Sequence, residues 1–186
     1  MADYFLGLDL GQRCDHTAVA ILETGVDRDC YHLRYLERLK LNTNYTIAVN
    51  RVSELVRTTQ RLDRCTVVGD ATGVGLPVLE LLRQNHSISA VAVTITGGNS
   101  VSGSGGSFRV PKRDLVRTLA ILFESRRLQI AHTIPTAREL IEELRNFKAR
   151  INPRTRRETY QADGRGSHDD LVLAVALACW YAEKPT

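Results

Sequence analysis

Residues 4–12 read YFLGLDLGQ. Large and small residues alternate along them, as in a β-strand with one face turned to a core. Leu6, Leu8 and Leu10 share one face; Phe5, Gly7, Asp9 and Gly11 share the other. Asp9 thus stands in an apolar run, where an unpaired carboxylate is costly. The glycines on either side leave its face open for something to approach. Taken alone, Asp9 fits a loop cap or a partner for a buried arginine as well as it fits a chemical role.

Outward from this strand, residues 16–23 and 30–38 read as two more, separated by the turn-like TGVDRD, which makes a three-stranded meander. Residues 45–61 carry Ile47, Val49, Val52, Leu55 and Val56 at roughly helical spacing after a polar NTN start. CTVVGD, 65–70, is a short buried strand ending in an acid. A helix is expected at about 76–85 and a strand over 88–95. GGNSVSGSGGS, 97–107, reads as a flexible loop inserted within the domain. Further helices are expected from Pro111 to about 127 and over 136–149. The turn INPRT, 151–155, links two strands of a hairpin ending near Gln161, and HDDLVLAVALACWYA forms the last helix. An antiparallel start followed by strand–helix alternation predicts an α/β fold in one domain, 1–186. Its mixed five-stranded sheet is flanked by helices, with an additional β-hairpin near 146–162.

The composition is that of a globular chain, with 43% hydrophobic and 25% charged residues. A formal charge of +4 permits a nucleic-acid partner without demonstrating one. Cys14, Cys30, Cys65 and Cys179 are widely spread with no C-x-x-C pair. That spacing favours free thiols in a reducing compartment over disulfides or zinc. No secretory leader is evident and no apolar run reaches membrane-spanning length, so a soluble cytoplasmic protein is expected.

Two other stretches place acids at element ends. VVGDATGVG puts Asp70 at the end of an apolar strand, where sites collect in α/β sheets. An Asx-turn or N-cap is the plainer explanation, with Thr72 and Gly73 only shaping the turn. In SHDDLVLAVALACW, Asp169 and Asp170 head a helix with no charge in the next ten residues. The helix dipole alone would favour one acid there, by about 0.3–1 kcal/mol. Two acids preceded by a histidine exceed that need. Three acidic positions converging on one sheet edge would suit divalent metals, since carboxylates are hard oxygen ligands.

LGLDLG, VVGDATGVG, VPKRDLV with RRLQI, and SHDDLVLAVALA together resemble the nuclease domain of phage terminase large subunits. That domain belongs to the RNase H-like, or retroviral-integrase-like, superfamily. The resemblance spans nearly the whole chain, and D-x-T-G-x-G with H-D-D-L-x-x-A is its more specific part. It implies an RNase H-like fold and a two-metal endonuclease that cuts concatemeric viral DNA around packaging. Double-stranded DNA would be the substrate, and two Mg²⁺ or Mn²⁺ ions the cofactor. The ATPase motor, small terminase and portal would be partners, in the host cytoplasm. Carried over by position, Asp9, Asp70 and Asp170 would be the catalytic, metal-binding acids, with Asp169 a candidate for the same role. Asp15 matches a further family acid and would support the metals, unless it is only a turn residue. Thr72 and His168 are supporting candidates, though a structural hydrogen bond suits His168 equally. The G-x-x-x-x-G-K-[ST] motif of a packaging motor does not occur, so an excised domain or a stand-alone nuclease is expected.

Phosphate contacts are expected from Arg145, Lys148, Arg150, Arg154, Arg156 and Arg157, a basic run without an acid. A solvated helix end and hairpin explain the run as well. Lys112 and Arg113, at a helix start after the glycine-rich segment, are also within the DNA-binding expectation. Other readings stay open. A Holliday-junction resolvase or an RNA-processing nuclease shares the arrangement of acids, and cleavage of duplex, junction and structured RNA separates them. LGLDLGQ also resembles a phosphate loop of actin-like ATPases, which ATP calorimetry would test. An inactive DNA-binding module is the remaining reading.

Overall fold

A computed structural model describes residues 2–11, 15–25, 29–61, 63–86, 88–151, 158–162 and 168–184, giving the backbone alone for 85–86, 147–151 and 158–162. The chain forms β1 (Asp3–Asp9), β2 (Ala18–Thr24), β3 (Tyr31–Arg38), α1 (Tyr45–Gln60), β4 (Arg64–Asp70), α2 (Gly75–His86) and β5 (Ala90–Thr96). There follow β6 (Ser102–Ser104), β7 (Ser107–Pro111), α3 (Lys112–Glu124), β8 (Leu128–Ile130), α4 (Ala137–Asn146), β9 (Phe147–Ile151), β10 (Glu158–Ala162) and α5 (Asp170–Ala182).

One mixed sheet runs β6-β7-β5-β4-β1-β2-β3-β8, and β9 with β10 makes a separate antiparallel hairpin. This is the α/β, RNase H-like arrangement expected of the chain. The five expected strands are contiguous as β5-β4-β1-β2-β3 at its centre. Three short strands extend the sheet beyond the expected five. One of them, β6, lies in the glycine-rich stretch read as a flexible loop, and β7 begins at its last residue, Ser107. There Gly103, Gly105 and Gly106 take positive φ angles, and β7 pairs parallel with β5. Glycine is a weak strand former, so this stretch carries no side-chain alternation to read. The third, β8, is three residues long and pairs only with Tyr31–Leu33. Helix α4 stops at Asn146, three residues early, because β9 begins directly after it.

Period-two alternation gives each central strand two apolar faces, and each face has its own core. Leu6, Leu8, Val19, Ile21 and Val67 pack with α1 and α2 residues, including Val52, Val56 and Leu79. Ala18, Ala20, Leu22, Leu33, Val68 and Val93 pack on the other face with α3, α4 and α5. Helix α5 is buried nearly all round, as its uncharged sequence requires. No helix among the described residues is long and apolar enough to cross a membrane.

Candidate metal centre at the carboxyl edge of the sheet

Strands β1 and β4 are parallel neighbours, and Leu8 pairs with Gly69. The next residues, Asp9 and Asp70, therefore come level at the carboxyl ends of adjacent strands. Asp9 shares the face of Phe5 and Gly7, and Asp70 that of Val68, which packs under α5. Both acids thus face the helix that begins with Asp170. What occupies the cleared face beside Asp9 is α5 itself. A Cβ on Gly7 would stand 1.8 Å from the Ala174 carbonyl oxygen. A Cβ on Gly11 would meet the Asp15 carbonyl at 2.2 Å. The glycines flanking Asp9 admit backbone, where the sequence had suggested clearance for an approaching ligand.

Asp70 does form the expected Asx-turn: its Oδ1 accepts from Thr72 N at 2.8 Å. Thr72 Oγ1 accepts in turn from Ile95 N at 3.1 Å, tying the turn to β5. Gly73 takes φ +61°, and Gly75 lets α2 start against the Asp70 carbonyl, where a Cβ would stand 1.8 Å away.

At the head of α5, Asp169 Oδ2 accepts from Lys112 Nζ at 2.6 Å. Asp170 is buried, with Arg38 Nε at 3.5 Å and His168 Nδ1 at 3.9 Å from its Oδ2. The His168 ring meets His16 edge to face at 5.1 Å, and His16 Nδ1 is 2.9 Å from the Leu39 carbonyl. Arg38 also donates to Glu139 and Glu143.

Burial pushes the Asp9 carboxyl well above the usual range, and the charges of Asp70, Asp170 and Asp169 push it further, against a smaller opposing pull from Lys112. Burial also raises Asp70, partly offset by hydrogen bonds from Thr72 and Ile95 and by Lys112. Burial raises Asp170 against Arg38 and His168, with Asp169 adding to the rise. Asp9 therefore stands within the fields of the other three acids at one edge of the sheet. Among the described residues, no three His, Cys, Asp or Glu side chains are close enough to chelate an ion as placed. The donors nonetheless suit a hard divalent cation. They are all carboxylate oxygens, they repel one another, and Asp170 Oδ2 is buried without a hydrogen-bond partner.

The remaining expected residues divide. Asp15 is exposed beside Gly11, lining a shallow 190 Å³ pocket with Thr17, Lys40 and Tyr45. Lys112 sits within the acid cluster on Asp169. Arg113 reaches the Asn99 side chain and carbonyl, at 3.0 and 2.8 Å, and so braces the segment after β5. Arg145 is exposed at the end of α4. Lys148 and Arg150 lie on β9, with side chains outside the described residues, and Arg154, Arg156 and Arg157 lie outside them altogether. Sequence reasoning missed Arg38, Glu143 and His16. For Glu143 there was a signal: it stands three residues after Leu140, on the buried face of α4.

A family model described as the terminase RNaseH-like domain matches residues 6–181. Among solved structures, the chain is similar to the large terminase nuclease from thermophilic phage G20c. The identity is 24% and the TM-score 0.71, over 99% of this chain and 83% of that one. It is also similar to the Mn-soaked human cytomegalovirus terminase nuclease domain, at 15% identity and TM-score 0.63, over 97% and 83%. The g2p large terminase nuclease domain from bacteriophage SPP1, with bound Mn, gives 12% and 0.58 over 95% and 84%. At these identities the likeness speaks for the fold. No curated protein matches the chain significantly in sequence.

Proposed function

The chain belongs to the terminase RNaseH-like domain family, and from that membership we propose that it is a divalent-metal-dependent DNA endonuclease acting on concatemeric viral DNA during packaging. One observation supports the reading: Asp9, Asp70 and the Asp169–Asp170 pair come together at one sheet edge, where burial first and then the charges of the other three raise Asp9. Asp9, Asp70 and Asp170 would hold Mg²⁺ or Mn²⁺, two ions in all, with Asp169 beside them. Bound ions of this kind activate water and stabilise the leaving oxygen of a phosphodiester. The chain's own part is to hold four acids against their repulsion. The buried helix α5 and the Asx-turn at Asp70 fix two of their attachment points. Lys112 supplies positive charge inside the cluster. The basic run from Arg145 to Arg157 would hold the backbone of double-stranded DNA near this edge. The ATPase motor, small terminase and portal would be its packaging partners.

Purified protein with Mn²⁺ or Mg²⁺ should nick or cut plasmid DNA, and EDTA should stop it. Linear duplex should be cut in preference to four-way junctions and structured RNA. Asp70→Asn should reduce cleavage below detection with the fold intact by circular dichroism. Normal cutting by Asp70→Asn would remove the site assignment.

A further inference from the structure

Helix α5 starts at the acid cluster, so its first amides are buried beside negative charge. Such amides lack an acceptor within the helix and take one from a capping side chain, usually that of the N-cap residue itself. Asp169 holds the N-cap position, yet its side chain caps nothing and pairs with Lys112. The acceptor comes from α4. Glu143 Oε2 accepts from Leu171 N and Val172 N, at 3.1 Å each.

The other oxygen of Glu143 accepts from Arg38 Nη2. Glu139 Oε2 accepts from Arg38 Nη1 at 3.1 Å. A guanidinium beside a carboxylate tends to close on it with two parallel hydrogen bonds. Arg38 does not close on Asp170. Its Nε stays 3.5 Å from Asp170 Oδ2, and both atoms are buried without a hydrogen-bond partner. Asp170 therefore has a steadying positive charge nearby and an acceptor still open.

We propose that Glu143 is a positioning residue for the metal centre. It caps α5, leaving Asp169 to its pair with Lys112, and holds Arg38 back from Asp170, so that the Asp170 carboxylate stays available to a divalent cation. This rests on the metal-dependent reading above for the nature of the ion.

The test is Mn²⁺ binding by isothermal titration calorimetry, without DNA, on the full chain. Glu143→Ala removes both the cap and the anchor for Arg38. Glu143→Gln keeps a similar volume and an amide acceptor but loses the charge that holds Arg38. Both should weaken Mn²⁺ binding by about 10- to 100-fold, as is usual when the supporting partners of metal ligands are lost. The Leu171 and Val172 amide resonances should shift strongly in Glu143→Ala and little in Glu143→Gln. Tyr31→Phe removes a hydrogen bond to Glu183 at the far end of α5 and serves as the stability control. It should lower the thermal midpoint and leave Mn²⁺ affinity unchanged. Should Glu143→Ala fail to fold, Glu143→Gln decides. Wild-type affinity in folded Glu143→Gln overturns the proposal, as does an equal loss in Tyr31→Phe. Mn²⁺ binding abolished by Asp9→Asn yet untouched by Glu143→Gln overturns this inference alone. No Mn²⁺ uptake by the wild-type chain overturns the metal-dependent reading with it.

Discussion

Asp9 is only 8% exposed, and among the described residues no side chain donates a hydrogen bond to it. Its raised pKa carries a stability consequence whose sign follows from proton counting. Asp9, Asp70 and Asp170 each bind a proton more tightly in the folded chain than in the unfolded one. As pH rises from the ordinary carboxylate range through the raised folded values, the folded chain holds the extra protons. Stability from these groups therefore falls with rising pH in that window. Glu183 has the opposite sign. Arg127 holds it below the usual range, so its contribution is present above the unfolded value and lost on acidification. In EDTA, Asp9→Asn should make the fall toward neutral pH shallower, measured by urea melts at stepped pH. It should raise the thermal midpoint by about 2–4 °C for each kcal/mol of repulsion removed. An unchanged pH slope would mean that neither burial nor its neighbours raise Asp9 in the folded chain. The acids were legible in the sequence because a charge in an apolar run stands out. Arg38 and His16 were not, because a residue at a strand end takes its meaning from partners far away in the chain.

At the scale of the element, α5 presses closely enough on β1 that only glycine fits at position 7. Gly7→Ala should therefore destabilise the protein by about 1–3 kcal/mol or more, as overpacking does. Gly97 is the comparison, because a Cβ there would meet nothing within 4 Å. Gly97→Ala should change stability by less than about 0.5 kcal/mol, as an ordinary surface substitution does. Denaturant midpoints of the two variants check both statements, and equal midpoints would contradict the close approach of α5. The central strands and α5 could be read from apolar periodicity, since their side chains decide their structure. Strand β6 and its turn could not, since Gly103, Gly105 and Gly106 act through backbone angles, and β7 is too short for its Phe108–Val110 alternation to stand out. Strand β8 could not either, because three residues carry no period and pair only where β3 offers an edge.

At the scale of the molecule, the mixed sheet between two apolar cores was legible from the antiparallel start and the strand–helix alternation that follows. The convergence of the acids was less so. It needs β4 to return parallel to β1, and Asp170 to arrive a hundred residues later on the same face. That register is a property of the whole sheet and of no single motif. The basic run from Arg145 to Arg157 belongs to this scale as well. Changing Arg154, Arg156 and Arg157 to alanine should weaken duplex binding evenly across sequences. For each phosphate that loses its arginine, the slope of log affinity against log salt should fall by about 0.9. Fluorescence anisotropy across a salt series measures it, and an unchanged slope would assign these residues to solvent. In the proposed metal centre, four acids at one sheet edge hold divalent ions. The most direct measurement is an anomalous difference map from a crystal soaked in Mn²⁺. Peaks are expected bounded by Asp9, Asp70 and Asp170, with Asp169 adjacent. A saturated crystal with no anomalous peak at those carboxylates, or with Mn²⁺ held elsewhere, would contradict the proposed centre.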